Sequence, residues 1–122
     1  MKILFANKKL EEQCTNLKSA NKLFGGNKQL ALSLLARINA LRQATTIKDI
    51  IAQPPLHFHS LKNKNGNDLK GFYAIDVKSR RDAYRIILQP LDETLEPWDS
   101  SIDQIALKVK IVEIREISKH YE

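Results

Sequence analysis

Three histidines stand in this chain, at positions 57, 59 and 120. The first two fall in the stretch HFHSLK, with Lys62 close behind, and the third falls beside Tyr121 in the closing SKHYE. Between them lie Arg80, Arg81 and Arg85, in KSRRD and AYRIILQP. These residue types match what metal-free cleavage of RNA demands. A base must take the proton from a 2′-hydroxyl, an acid must protonate the departing 5′ oxygen, and a fixed cation must meet the charge that builds on phosphorus. Histidine serves either proton role near neutral pH. Arginine offers phosphate oxygens a planar fork. Tyrosine stacks on bases or orients a phosphate.

Blander readings of the same residues carry weight. Loop histidines are mostly solvated side chains, and a motif as short as HFH is weak alone. Arg85, on the polar face of a strand, could simply pair with Asp76 or Asp82 across a hairpin. A C-terminal HYE is often frayed. His57 and His59 share one side of an extended segment and with His120 could form a three-histidine zinc site. No thiolate or clear carboxylate accompanies them, so metal ranks below RNA chemistry and no cofactor is expected.

The elements that must position these groups read as one domain over residues 1–122. KILFA is a short apolar strand. Leu10, Cys14 and Leu17 follow at i, i+4 and i+7, which predicts an amphipathic helix capped by Asn7. FGG breaks the chain. Leu30, Leu34, Leu35, Ile38 and Leu41 then form the stripe of a longer helix capped by Asn27. Thr46 and Asp49 have capping-box spacing for one further turn, ended by Pro54-Pro55. From GFYAIDV onward the period becomes 2. Two strands flank the KSRRD turn, and LKVKIVEIREI makes a third, whose apolar phase slips at Ile111-Val112. The expected fold is α+β: an N-terminal strand and two to three helices packed on one face of a small, twisted, mainly antiparallel sheet.

Charge is unevenly spread. The net of +6 divides into 16 Lys/Arg against 6 Asp/Glu over residues 1–91 and five acidic residues with no basic one over 92–103. A basic body suits a polyanion better than a membrane. No apolar run approaches a membrane span of roughly 20 residues. The first apolar run, about four residues, is also far short of a signal-peptide core, which predicts a cytoplasmic protein. Cys14 is the sole cysteine and reads as a buried small hydrophobe.

From about residue 35 onward the chain resembles the HigB branch of the RelE/ParE toxin superfamily, the toxins of bacterial type II toxin–antitoxin pairs. The resemblance lies in LLARINALRQATTIKDI, LHFHSLKNKNGNDLKGFYAIDV, AYRIILQP and VEIREISKHYE, in that order. It implies a RelE-like fold. It implies His59 as the residue of the family's histidine loop, Arg85 as its phosphate-binding arginine, and His120 with Tyr121 as its C-terminal cluster. His57, Lys62, Lys64, Lys70, Lys78, Arg80 and Arg81 would line the RNA. Ala74 and Asp76 stand where some relatives carry paired lysines, which leaves acid–base work to histidine. The acidic segment with Trp98 is an insertion relative to shorter toxins.

What the resemblance implies is an mRNA endonuclease acting on ribosome-bound message and silenced by a HigA-like, helix-turn-helix antitoxin. Two other readings compete with it. One is a non-catalytic poison of the same fold that binds a protein such as DNA gyrase. The other is an inactive RNA-binding relative.

Overall fold

The computed structural model describes residues 1–61 and 71–119. Strand β1 (Lys2–Phe5) opens the chain. Helix α1 (Lys8–Thr15) follows, with the Asn7 side chain accepting from the Leu10 backbone N–H at 2.8 Å. The single helix expected here is in fact two. Asn16 takes extended angles (φ −124°, ψ 122°) and caps α2 (Leu17–Leu23) by accepting from the Ser19 N–H at 3.0 Å. An asparagine side chain competes with the helical backbone for such bonds, which is why the helix breaks at it. Leu17 therefore leaves the buried stripe and is 40% exposed.

Gly25 and Gly26, at φ 63° and 91°, turn the chain out of α2. Helix α3 (Lys28–Gln43) is capped by Asn27 as expected and buries Leu30, Leu34, Ile38 and Leu41. The Asp49 carboxylate accepts from the Thr45 and Thr46 N–H groups and starts α4 (Ile47–Ile51). Pro54–Leu56 then form one 3-10 turn.

Strands β2 (His59–Ser60), β3 (Tyr73–Asp76), β4 (Arg85–Leu91) and β5 (Ile111–Ser118) run antiparallel in sequence, and β1 adds to β5 in parallel. The five-stranded order is β1-β5-β4-β3-β2. A short helix, α5 (Ile102–Ile105), interrupts the acidic link between β4 and β5. The fold is α+β. The apolar slip at Ile111-Val112 admits a bulge or a central strand. Strand β5 is an interior strand there, Ile111 and Val112 pairing in register with Leu91 and Pro90 on one side and with Lys2 and Ile3 on the other. The bulge lies later, at Arg115, between Ile114 (opposite Leu88) and Glu116 (opposite Ile87).

Alternation on β3 and β4 sorts the two faces. Ile75, Val77, Ile86 and Leu88 join Val112, Ile114 and the helix stripes in the main core. Ala74 and Ile87 point the other way and, among the described residues, form a small second cluster with Leu61 and the half-buried Phe72. The helices thus cover one face and leave the other for the site. Cys14 is 1% exposed, and burial pushes its thiol up to about 12. No helix among the described residues is long and apolar enough to cross a membrane.

Candidate active site on the second sheet face

The HFH stretch divides by alternation. Phe58 packs toward the main core, its ring stacked on Tyr73 with centroids 5.1 Å apart. The flanking His57 and His59 turn to the other side and stack on each other, centroids 4.3 Å apart and planes 28° from parallel. His57 ends the 3-10 turn with a left-handed backbone, φ 53° and ψ 50°. That conformation is uncommon outside glycine, and histidine tolerates it better than bulky residues do. Here it swings the imidazole back over the sheet.

The imidazole meets Asp76. His57 Nδ1 donates to Asp76 Oδ1 across 3.1 Å, and the carboxylate is fully buried while 28% of the His57 side chain is exposed. Register explains the neighbours: Asp76 pairs with Arg85, and Arg85 with Ser118. Arg85 Nε lies 3.1 Å from the same Oδ1, a charge contact without hydrogen-bond alignment. Asp76 Oδ2 is buried and takes no hydrogen bond among the described residues. A dehydrated carboxylate beside a guanidinium is stable only when the pair stays intact.

Arg85 is 7% exposed, and its guanidinium faces the chain itself. Nη1 donates to the Asp82 and Tyr84 carbonyls, and Nη2 donates to the Arg80 carbonyl at 3.2 Å. From the helical side Arg37 donates to the Asp76 carbonyl at 3.1 Å and the Lys78 carbonyl at 3.0 Å. Two arginines therefore clamp the β3–β4 hairpin from opposite faces. Lys78, Arg80 and Arg81 are the exposed cations of that clamped turn. Lys78 also reaches Gln29 at 3.0 Å.

His59 is held differently. Its Nδ1 donates to the His57 carbonyl at 2.7 Å, so the neutral ring keeps its lone pair on Nε2. That Nε2 is buried and without a partner among the described residues. Both histidines are thus anchored through Nδ1; His57 keeps a part-exposed ring, whereas His59 Nε2 is closed off from solvent.

The structure brings His57, His59 and Arg85 onto one face. Lys62, Lys64, Lys70, His120 and Tyr121 lie outside the described residues. Sequence reasoning offered Asp76 as a partner for Arg85 across the hairpin, and that pair forms; it missed the burial of Asp76 and its bond to His57. The available signal was an acidic residue in the apolar run GFYAIDV, on the register position facing an arginine. Among the described residues no three His, Cys, Asp or Glu side chains gather as a metal centre would need. No protein-family model, curated protein or solved structure matches the chain.

Proposed function

We propose that this protein is the toxin of a bacterial type II toxin–antitoxin pair, a metal-independent endoribonuclease that cuts messenger RNA on the ribosome. The observation that carries the reading is the Asp76–His57 pair on the sheet face away from the helices, where the carboxylate is buried and the imidazole is part-exposed, beside the cationic hairpin. A buried carboxylate behind Nδ1 fixes the tautomer and stabilises the imidazolium that forms when Nε2 takes a proton, the arrangement a general base needs. The resemblance to HigB-like toxins supports the choice of RNA as substrate, and the basic body over residues 1–91 suits it.

In the proposed reaction one imidazole removes the 2′-hydroxyl proton. The 2′ oxygen then bonds to the adjacent phosphorus, the bond from phosphorus to the 5′ oxygen breaks, and a second imidazole protonates that oxygen. The products are a 2′,3′-cyclic phosphate and a 5′-hydroxyl. His57 is the better-supported base. His59 or His120 supplies the acid, with Tyr121 orienting the substrate. Lys78, Arg80 and Arg81 hold backbone phosphates, joined by Lys62, Lys64 and Lys70, which lie outside the described residues. Arg85 acts through Asp76 and the hairpin it braces. The ribosome supplies substrate geometry, so few catalytic groups suffice. The reading places the protein in the cytoplasm, with an antitoxin of the HigA-like, helix-turn-helix kind whose acidic side chains meet the basic body.

Induction in cells, followed by mapping of transcript 5′ ends, tests this. Growth arrest with breaks inside translated codons is expected. His57→Asn should lower cleavage by about 10²–10⁴-fold, the usual contribution of a positioned base, with the circular dichroism of the fold unchanged. Arrest with intact messages would sink the nuclease reading. It would favour the second one, a non-catalytic poison of a protein target, which the engagement of Arg85 by Asp76 and three carbonyls also suits.

A further inference from the structure

At the far end of the β4–β5 ribbon lies an open cleft of about 550 Å³. Arg85 and Ser118 mark one end of this strand pair, Leu91 and Ile111 the other. Six residue steps separate Arg85 from Leu91 at the two ends of β4, roughly 20 Å at the usual rise per residue. The cleft and the histidine site are therefore separate places.

Leu91, Trp98, Leu107 and Ile111 form the apolar lining. Leu107 is 73% exposed, and Leu95, on the loop that forms one wall, is 47% exposed. Both walls are built rigidly. Asp92 Oδ1 accepts from the Thr94 N–H, the Thr94 hydroxyl and the Glu96 N–H, and the Asp92 N–H donates to the Glu96 carbonyl. On the other wall the Ile47 and Lys48 N–H groups of α4 donate to the Val109 and Ala106 carbonyls. Ala106 and Val109 are buried, so Leu107 between them faces outward. Leu95 is held at φ 64°, a backbone that costs a side-chain-bearing residue roughly 1–2 kcal/mol. Scattered surface leucines need no explanation, but Leu107 in the wall of an apolar cleft, with Leu95 on the adjoining loop, does.

Charge selects the occupant. Asp92 and Glu93 line the cleft, and Glu96, Asp99 and Asp103 belong to the same segment, which has no basic residue. Lys108 and Lys110 lie on the opposite wall. With five carboxylates over residues 92–103 against Lys108 and Lys110, the acidic flank outweighs the basic one. A ligand with apolar anchors and cations toward that flank matches this rim, and one that turns carboxylates to it is repelled. We infer that the cleft docks a segment of a partner protein in which apolar side chains are flanked by lysine or arginine. This surface does not depend on the nuclease reading.

Trp98 lines the cleft and is the chain's one tryptophan, so its fluorescence reports occupancy. The probes are a short amphipathic peptide of leucine and lysine and its counterpart of leucine and glutamate. The first should shift Trp98 emission saturably and the second should not. Leu107→Glu should weaken the response roughly tenfold or more, as loss of a central anchor does. Glu93→Lys should weaken it less. Both positions are exposed, and an unchanged thermal unfolding curve verifies the fold. Equal responses to the two peptides, no response to either, or full binding by Leu107→Glu would overturn the inference. So would an emission shift that follows protein concentration alone, which would make the occupant a second copy of this chain.

Discussion

Among the described residues two without a glycine's freedom adopt left-handed backbone, His57 at φ 53° and Leu95 at φ 64°. They lie at opposite ends of the molecule and are held by opposite means. At His57 a proline-started turn and a buried carboxylate fix the residue, and the side chain folds inward to a charge. At Leu95 an aspartate at the loop's root ties the backbone, and the side chain is left in water. Strained conformations persist only where their surroundings over-determine them. The first device orients a polar group for chemistry, whereas the second displays an apolar one for contact.

The sharpest way to break this comparison is to remove Asp76. Asp76→Ala leaves the buried Arg85 guanidinium facing no carboxylate and should cost about 3–5 kcal/mol in urea unfolding, as loss of one partner of a buried pair does. Asp76→Leu combined with Arg85→Met should recover much of that loss, since an apolar replacement leaves no charge buried. A cost near zero for Asp76→Ala would mean that the carboxylate does not hold the hairpin or His57.

A smaller effect separates the two strained residues. Leu95→Gly should raise stability by about 1 kcal/mol, because glycine adopts the left-handed region without a Cβ penalty. His57→Gly relieves similar strain and loses the contact with Asp76, so its net gain should be absent. Denaturant midpoints for the two variants, measured side by side, decide this. Equal gains would show that the Asp76 contact contributes nothing to the fold.

Much of the fold could be read from the chain because local chemistry wrote it. The caps at Asn7, Asn27 and Asp49, the stripe on α3 and the alternation on β3 and β4 each depend on a few neighbouring residues. Reading failed where two local signals competed. At Asn16 the apolar spacing continues, but a capping side chain ends the helix. At Arg115 the bulge depends on how β5 meets β4, which spacing on one strand does not record. The site was legible in its types and not in its contacts. His57 and His59 were marked by rarity and by sharing a side, and they do stack. The ranking of His59 above His57 came from resemblance alone, and the bond from His57 to Asp76 spans 19 residues of chain. For Arg85 the sequence offered two readings, a phosphate ligand by resemblance and a partner of Asp76 across the hairpin. The second pairing is the one that forms, and the bonds to the hairpin carbonyls were not legible.

The smallest effect belongs to the loop beneath Leu95, and its sign follows from Asp92. The Thr94 hydroxyl, with the Glu96 and Thr94 backbone N–H groups, holds the Asp92 carboxyl below its ordinary value of 3.8. The folded value is lower than the unfolded one. The loop's support is therefore complete above pH 3.8 and is lost as pH falls through the lowered value. Amide resonances of Thr94 and Glu96, followed by NMR through this acid range, should titrate together below 3.8. Thr94→Val removes the shortest of the three bonds, 2.6 Å, and should move the midpoint back toward the ordinary value. An unmoved midpoint would show that the hydroxyl does not organise the loop, and the fixed display of Leu95 would then need another cause.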